Sequence, residues 1–156
     1  MSGWLLDTNV LSELRRPRPE PKVVAFVAAQ PLDALYVSSV AFAEIRFGIE
    51  TQADPVRRTE LNDWLAHVVR PMFEGRTLAI SETVMLRWRL LVEEGRKLGR
   101  TYSQPDLIIA ATALEHDLIV VTRDTGDTGD YQGTRAKLFN PWTELPPSES
   151  KPQSVS

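Results

Sequence analysis

Trp4-Leu5-Leu6-Asp7-Thr8-Asn9-Val10-Leu11-Ser12 is the stretch on which the fold turns. Three successive apolar residues are followed at once by an acid, a hydroxyl and an amide. A strand that is apolar at successive positions is buried on both faces, and its polar residues gather at its end. The same pattern recurs. Residues 35–37 are followed by Ser38-Ser39, residues 77–80 by Ser81, and residues 118–121 by Thr122-Arg123-Asp124, with a weaker run at 137–139.

Between these runs the apolar spacing becomes helical. Asp54-Pro55 is a cap and first-turn pair, and Leu61, Trp64, Leu65, Val68, Val69 and Met72 follow it as one stripe. From Ser81, Val84, Met85, Trp88, Leu91 and Val92 do the same, with Glu82, Arg87, Arg89, Glu93, Arg96 and Lys97 on the opposite face. Residues 39–49 predict a third helix with Phe42, Ile45 and Ile49 inward. Residues 105–116 are apolar nearly all round, which predicts a central buried helix. Two short helices, 10–15 and 22–29, flank a stiff basic loop, Arg15-Arg16-Pro17-Arg18-Pro19-Glu20-Pro21. Strands alternating with helices predict an α/β sandwich: a mostly parallel central sheet of about five strands with helices on both faces.

A chain of 156 residues has room for one such domain, expected over residues 1–145. The tail 146–156 has little to bury and is expected to be disordered. With 42% hydrophobic and 25% charged residues the chain can build one real core. Cysteine is absent and the two histidines, His67 and His116, are far apart, which excludes disulfides, thiol chemistry and Cys- or His-rich metal sites. No apolar run approaches the roughly 20 residues that span a bilayer. The N-terminus enters a strand directly, so no signal peptide is expected and the chain reads as cytoplasmic. A net charge of −3 disfavours broad adhesion to nucleic acid but leaves room for a local basic surface.

Ligands of an open parallel sheet bind beyond the carboxyl ends of its strands. Asp7 follows the first strand, Glu44 lies early in the helix after the second, Asp124 follows the fourth, and Asp106 opens the buried helix leading into it. Each has an ordinary structural role available. Asp7 would cap a helix, Asp124 would sit in a turn, Asp106 would complete a capping box with Ser103, and Glu44 would be a solvated helix residue. Together they define something else, because four converging acids repel one another unless a cation neutralises them. An all-oxygen ligand set points to Mg²⁺, with Mn²⁺ as the alternative. Such a site suits phosphodiester hydrolysis by a metal-activated water, with a carboxylate to orient or deprotonate it. Thr122 and Asn9 add a hydroxyl and an amide at the same edge, for water or phosphate.

These segments are similar to motifs of a known family. Leu5-Leu6-Asp7-Thr8-Asn9-Val10-Leu11-Ser12, Ala43-Glu44-Ile45-Arg46-Phe47-Gly48, Pro105-Asp106-Leu107-Ile108-Ile109-Ala110-Ala111-Thr112-Ala113 and Val121-Thr122-Arg123-Asp124 resemble the PIN domain. Leu138-Phe139 with Asn140-Pro141-Trp142 resembles its VapC toxins, in particular their FitB-like branch. The similarity runs from about residue 4 to residue 142. It implies a Mg²⁺-dependent endoribonuclease that is the toxin of a toxin–antitoxin pair. It implies an active site of Asp7, Glu44, Asp106 and Asp124, with Asp7 and Asp106 the most direct metal ligands and Thr122 beside them. The position matching Asp124 is often Asn in the family. The resemblance further implies a homodimer and a small DNA-binding antitoxin, VapB- or FitA-like, whose C-terminal segment covers the acidic pocket. Operator DNA would be reached only through that antitoxin. One departure is a duplicated Thr-Gly-Asp at 125–127 and 128–130. Relatives usually have a single Asp three residues after the strand-end Asp or Asn, followed by an aromatic. Here Asp127 has the spacing and Asp130 has the aromatic neighbour, Tyr131.

Two other functions compete. Asp7-Thr8-Asn9 also resembles the opening of haloacid-dehalogenase-like phosphatases, although those have a second Asp where Asn9 stands. A catalytically inactive domain of the same fold, serving only to bind a protein, is the other. For the substrate, Arg15, Arg16, Arg18, Arg46 and Arg123 lie near the acidic motifs, and Arg96, Lys97 and Arg100 lead toward Asp106. Some are expected to contact phosphates. Arg87, Arg89 and Arg96 read better as a solvated helix face with intrahelical pairing.

Overall fold

Strand β1 (Trp4–Leu6) lies at the centre of a parallel sheet and carries the fold. The computed structural model describes residues 3–102, 104–126 and 131–146. Ser103, Asp127, the second Thr-Gly-Asp copy with Asp130, and the tail from 147 lie outside these residues. β1 pairs in parallel with β2 (Leu35–Ser38) on one side and β4 (Ile119–Val121) on the other. β3 (Thr77–Leu78) and β5 (Lys137–Phe139) complete the order β3-β2-β1-β4-β5. Every pairing is parallel, as the two-sided apolar runs predict.

The helices are α1 (Thr8–Arg15), α2 (Pro21–Ala29), α3 (Ser39–Glu50), α4 (Pro55–Trp64), α5 (Arg70–Met72), α6 (Glu82–Lys97) and α7 (Gln104–His116). Their starts follow from local chemistry. Asp7, Ser38, Asp54 and Ser81 stand at the N-caps of α1, α3, α4 and α6, each accepting from a backbone N–H of the first turn. Successive side chains of β1 point to opposite faces. Leu6 joins α1, α2, α3 and α4 in one core, where Trp4, Phe26 and Phe139 pack with ring centroids 4.8–5.5 Å apart. Leu5 joins α6 and α7 in the other core. α7 is buried as its composition predicts, Leu107, Ile109, Ala110, Ala111 and Ala113 being almost inaccessible. Leu6→Ala is expected to cost about 2–5 kcal/mol, the range for a buried leucine that leaves a cavity. A shift of the urea midpoint checks this.

Two elements depart from the pattern. The stripe after Asp54 passes through a π-helical turn, Leu65–Val69, between α4 and α5. The wider turn puts the buried positions at a spacing of four, Leu61, Leu65, Val69 and Phe73, and leaves Val68 50% exposed. β3 is two residues rather than four, because only Thr77 and Leu78 find partners in β2 before Ser81 caps α6.

Candidate active site

The strand order reverses between β1 and β4, which makes the carboxyl ends of these two strands the crevice of the sheet. Leu6 is in register with Val121, so the next residues, Asp7 and Thr122, meet across it. The Asp7 N–H donates to the Val121 carbonyl at 3.0 Å.

The Asp7 carboxylate is 2% exposed and its oxygens are already engaged. Oδ1 accepts from the Thr8 N–H at 2.7 Å, so Asp7 is also the helix cap that its position suggests. Oδ2 accepts the Thr122 hydroxyl at 2.8 Å and the Tyr131 hydroxyl at 2.9 Å. The same Tyr131 hydroxyl lies 3.5 Å from Asp106 Oδ1. Burial raises the Asp7 pKa above the ordinary carboxylate range. The three hydrogen bonds oppose that rise and the charge of Asp124 adds to it. Burial, then the charges of Asp7 and Asp106, push the Tyr131 phenol well above its usual value, so the hydroxyl remains a donor.

A cavity of about 480 Å³ opens above this pair. Asp7, Glu44 and Asp106 line it, so three of the four predicted acids, from α1's cap, α3 and α7, share one wall space. Glu44 is exposed and Asp106 half-buried. Asp124 and Thr122 stand beside the cavity rather than on its wall. The charge of Asp124 is felt at Asp7 and Tyr131, and its N–H donates to Thr122 Oγ1 at 3.1 Å. Thr122 is fully buried, and its oxygen also accepts Asn9 Nδ2 at 3.2 Å. Asn9 and Thr122 therefore tie α1 to the end of β4 and hold Asp7.

Among the described residues no three acids or histidines form a ready-made metal cage. The donor set nonetheless fits a small hard cation. Mg²⁺ keeps several waters and takes one or two carboxylates, and Asp7 and Asp106 are two carboxylates around one hydroxyl. In the same cavity wall, the Thr8 hydroxyl oxygen is buried without a hydrogen-bond partner among the described residues.

The basic residues divide. Arg15, Arg16 and Arg123 line the cavity, and the Arg123 guanidinium lies 5.1 Å from the Trp142 ring centre on its rim. Arg16 pairs with the buried Glu13 at 3.2 Å. Arg18 and Arg46 are exposed, outside the cavity lining. Arg96 pairs with Glu93 of its own helix, as expected, whereas Arg87 bonds Glu115 of α7 at 2.8 Å, so its partner is on the neighbouring helix rather than its own. Arg100 donates to the Gln132 carbonyl at 3.2 Å.

Four further residues have roles that the sequence does not show. Glu13 latches the basic loop by accepting the Glu20 N–H at 2.8 Å. Asn140 donates to the Arg123 carbonyl at 3.2 Å and to Thr125 Oγ1 at 3.3 Å, and accepts the Trp142 N–H at 2.9 Å, fixing the loop after β4. Trp142 forms part of the rim. Tyr131 is the fourth, and its only sequence signal is an aromatic placed beside the duplicated acid.

The five-stranded parallel sheet with its acid pocket at the switch point is an α/β domain whose family the known proteins identify. Residues 4–126 match the model of the PIN domain, and this chain belongs to that family. PIN-domain ribonucleases are generally dependent on a divalent metal. Among the relatives is a protein of Neisseria gonorrhoeae named Toxin FitB, 36% identical over 138 residues, covering 88% of this chain and 97% of that one. Another, named VapC ribonuclease Y4jK, from Sinorhizobium fredii, is 34% identical over 88% of this chain and 96% of its own. A solved structure of FitAB bound to a DNA fragment superposes with a TM-score of 0.82 at 33% identity, covering 91% of this chain and 97% of that one.

Proposed function

We propose that this chain is a Mg²⁺-dependent endoribonuclease acting as the toxin of a toxin–antitoxin pair. The observation that carries the reading is the convergence of Asp7 and Asp106 on one hydroxyl, at the switch point, in a cavity rimmed by arginines. Asp7 and Asp106 would hold the cation, with Glu44 and Asp124 completing its surroundings; Mn²⁺ suits the same oxygens. When bound, the cation lowers the pKa of a coordinated water and offsets charge building on the phosphate. Glu44, exposed on the cavity wall, is the carboxylate available to orient or deprotonate that water. Thr122 and Tyr131 fix Asp7, and Arg15, Arg16 and Arg123 face the polyanion.

The partners follow from the relatives. A small DNA-binding antitoxin, VapB- or FitA-like, would cover the acidic pocket with a C-terminal segment and carry the complex to operator DNA. The toxin itself would pair as a homodimer. Among the described residues no helix is long and apolar enough to cross a membrane. We infer action in the cytoplasm, where the RNA is.

Incubating the purified chain with RNA and Mg²⁺ tests the reading. Shortened RNA supports it, and loss of cutting in Asp7→Asn assigns the cutting to this site. Release of phosphate from a small monoester, without RNA cutting, would instead favour the haloacid-dehalogenase-like reaction. Equal residual activity in wild type and variant would leave only a protein-binding module. RNA affinity should fall as salt rises, and replacing Arg15, Arg16 and Arg18 with Ala should lower both the affinity and the slope. Arg16 is paired with Glu13, so Arg15 should carry more of the loss. Unchanged binding in the triple variant would remove all three from the substrate surface.

A further inference from the structure

Tyr131 is buried to 2% exposure among Leu5, Val84, Leu107 and Val120, where a phenylalanine would pack as well. A buried hydroxyl is costly unless paired. The hydrogen bonds of this one go to the two acids of the site, Asp7 Oδ2 at 2.9 Å and Asp106 Oδ1 at 3.5 Å.

Residues 131–134 are held from several sides. The Tyr131 carbonyl accepts both the N–H and the hydroxyl of the fully buried Thr134, at 3.1 and 2.7 Å. The next carbonyl, of Gln132, accepts the Tyr102 hydroxyl at 3.1 Å and Arg100 Nη1 at 3.2 Å. The Tyr102 ring seats against Gly95 of α6, where an added Cβ would stand 2.6 Å from it. These bonds anchor the main chain at Tyr131 while its hydroxyl bonds Asp7.

That bond decides how Asp7 faces the cavity. A carboxylate has about four acceptor positions. Thr122 and Tyr131 use both on Oδ2, and the Thr8 N–H uses one on Oδ1. The remaining acceptor position is on Oδ1.

We propose that Tyr131 is a positioning residue for the divalent cation: its hydroxyl turns Asp7 Oδ2 into the protein, presents Oδ1 to the cavity, and sets the spacing between Asp7 and Asp106. This rests on the metal-nuclease reading above. Groups that orient a metal ligand from behind typically change metal affinity by about 10–100-fold when removed.

The experiment is calorimetric titration of the metal-free full chain with Mn²⁺, for wild type, Tyr131→Phe and Asp7→Asn, with a thermal melt of each. The phenylalanine variant keeps the ring and its packing, and Asp7 keeps its bonds to Thr122 and Thr8. We expect Mn²⁺ to bind the wild type, to bind Y131F about 10–100-fold more weakly, and not to bind D7N. The melting temperature of metal-free Y131F should stay within about 3 °C of wild type. RNA cutting by Y131F should recover as Mn²⁺ is raised to saturation, which a merely structural defect would not show. Equal or tighter Mn²⁺ binding in Y131F overturns the proposal while leaving the nuclease reading intact. A wild type that binds no Mn²⁺, or a D7N variant that binds it normally, overturns the metal reading itself.

Discussion

Asp7→Asn is expected to reduce RNA cleavage by at least about a thousandfold, equivalent to about 4 kcal/mol of barrier, and at the same time to raise the melting temperature of the metal-free protein. The two effects share one cause. Asp7 is 2% exposed, and burial lifts its pKa above that of the unfolded chain. A carboxylic acid with a raised folded-state pKa binds its proton more tightly when folded. Stability therefore falls as pH rises from the unfolded to the folded pKa, and stays lower above it. Above its folded-state pKa the ionised Asp7 works against folding. The amide is nearly isosteric and neutral, so it removes the desolvation that is the largest influence on this group. Against this, the amide nitrogen meets a site built of donors, so either the Thr8 N–H or a hydroxyl loses an acceptor. We expect relief of the desolvation to outweigh that loss, so the net should be stabilising, the usual exchange of stability for function at an active site. Melts of both proteins in chelator, from the ordinary carboxylate range upward in pH, check the sign. The variant's advantage should shrink toward acid pH, where wild-type Asp7 takes up its proton. A variant that melts below wild type above the folded-state pKa of Asp7, or one that still cuts RNA, contradicts the argument.

Much of the fold and of the site is legible in the amino-acid order alone, and the reason is geometric. In a parallel sheet covered on both faces, the strand interior is apolar and chemistry is confined to the ends. Asp7, Asp106 and Glu44 therefore fall at one edge by their positions after or near apolar runs. The caps at Asp54, Ser38 and Ser81 are legible because capping is a matter of neighbouring residues. What stays hidden depends on contacts with no local pattern. Tyr131 reaches Asp7 across 124 positions, and the Thr-Gly-Asp duplication beside it obscures its register. Asn140 acts on a loop 17 residues earlier. The place of Thr122 at the site follows from the strand end, but its burial, which turns it toward Asp7 and away from the cavity, needs the full packing. The π turn at Leu65–Val69 is invisible because its stripe satisfies a helical period equally well.

Chelation is expected to abolish cutting, and restoring Mg²⁺ or Mn²⁺ to restore it, with a stability signature that ties the effect to Asp7. Asp124 raises the pKa of Asp7, and the hydroxyl between Asp7 and Asp106 has only one proton to offer them. A cation that binds the folded chain alone stabilises it by about 2.7 kcal/mol at a hundred times its dissociation constant. In a domain of this size that is about 5–11 °C of melting temperature. Its ligands must be deprotonated to bind it, so proton and cation compete for Asp7. Because burial raises the Asp7 pKa, that competition extends upward in pH beyond the usual carboxylate range. The metal-free protein loses stability as pH rises through this window, whereas the loaded protein does not, since the cation replaces the proton. The gap between melts in Mn²⁺ and in chelator should therefore widen as pH rises through the Asp7 titration in wild type and be absent in D7N. A gap that ignores pH, or that survives in D7N, would place the cation somewhere other than the crevice between β1 and β4.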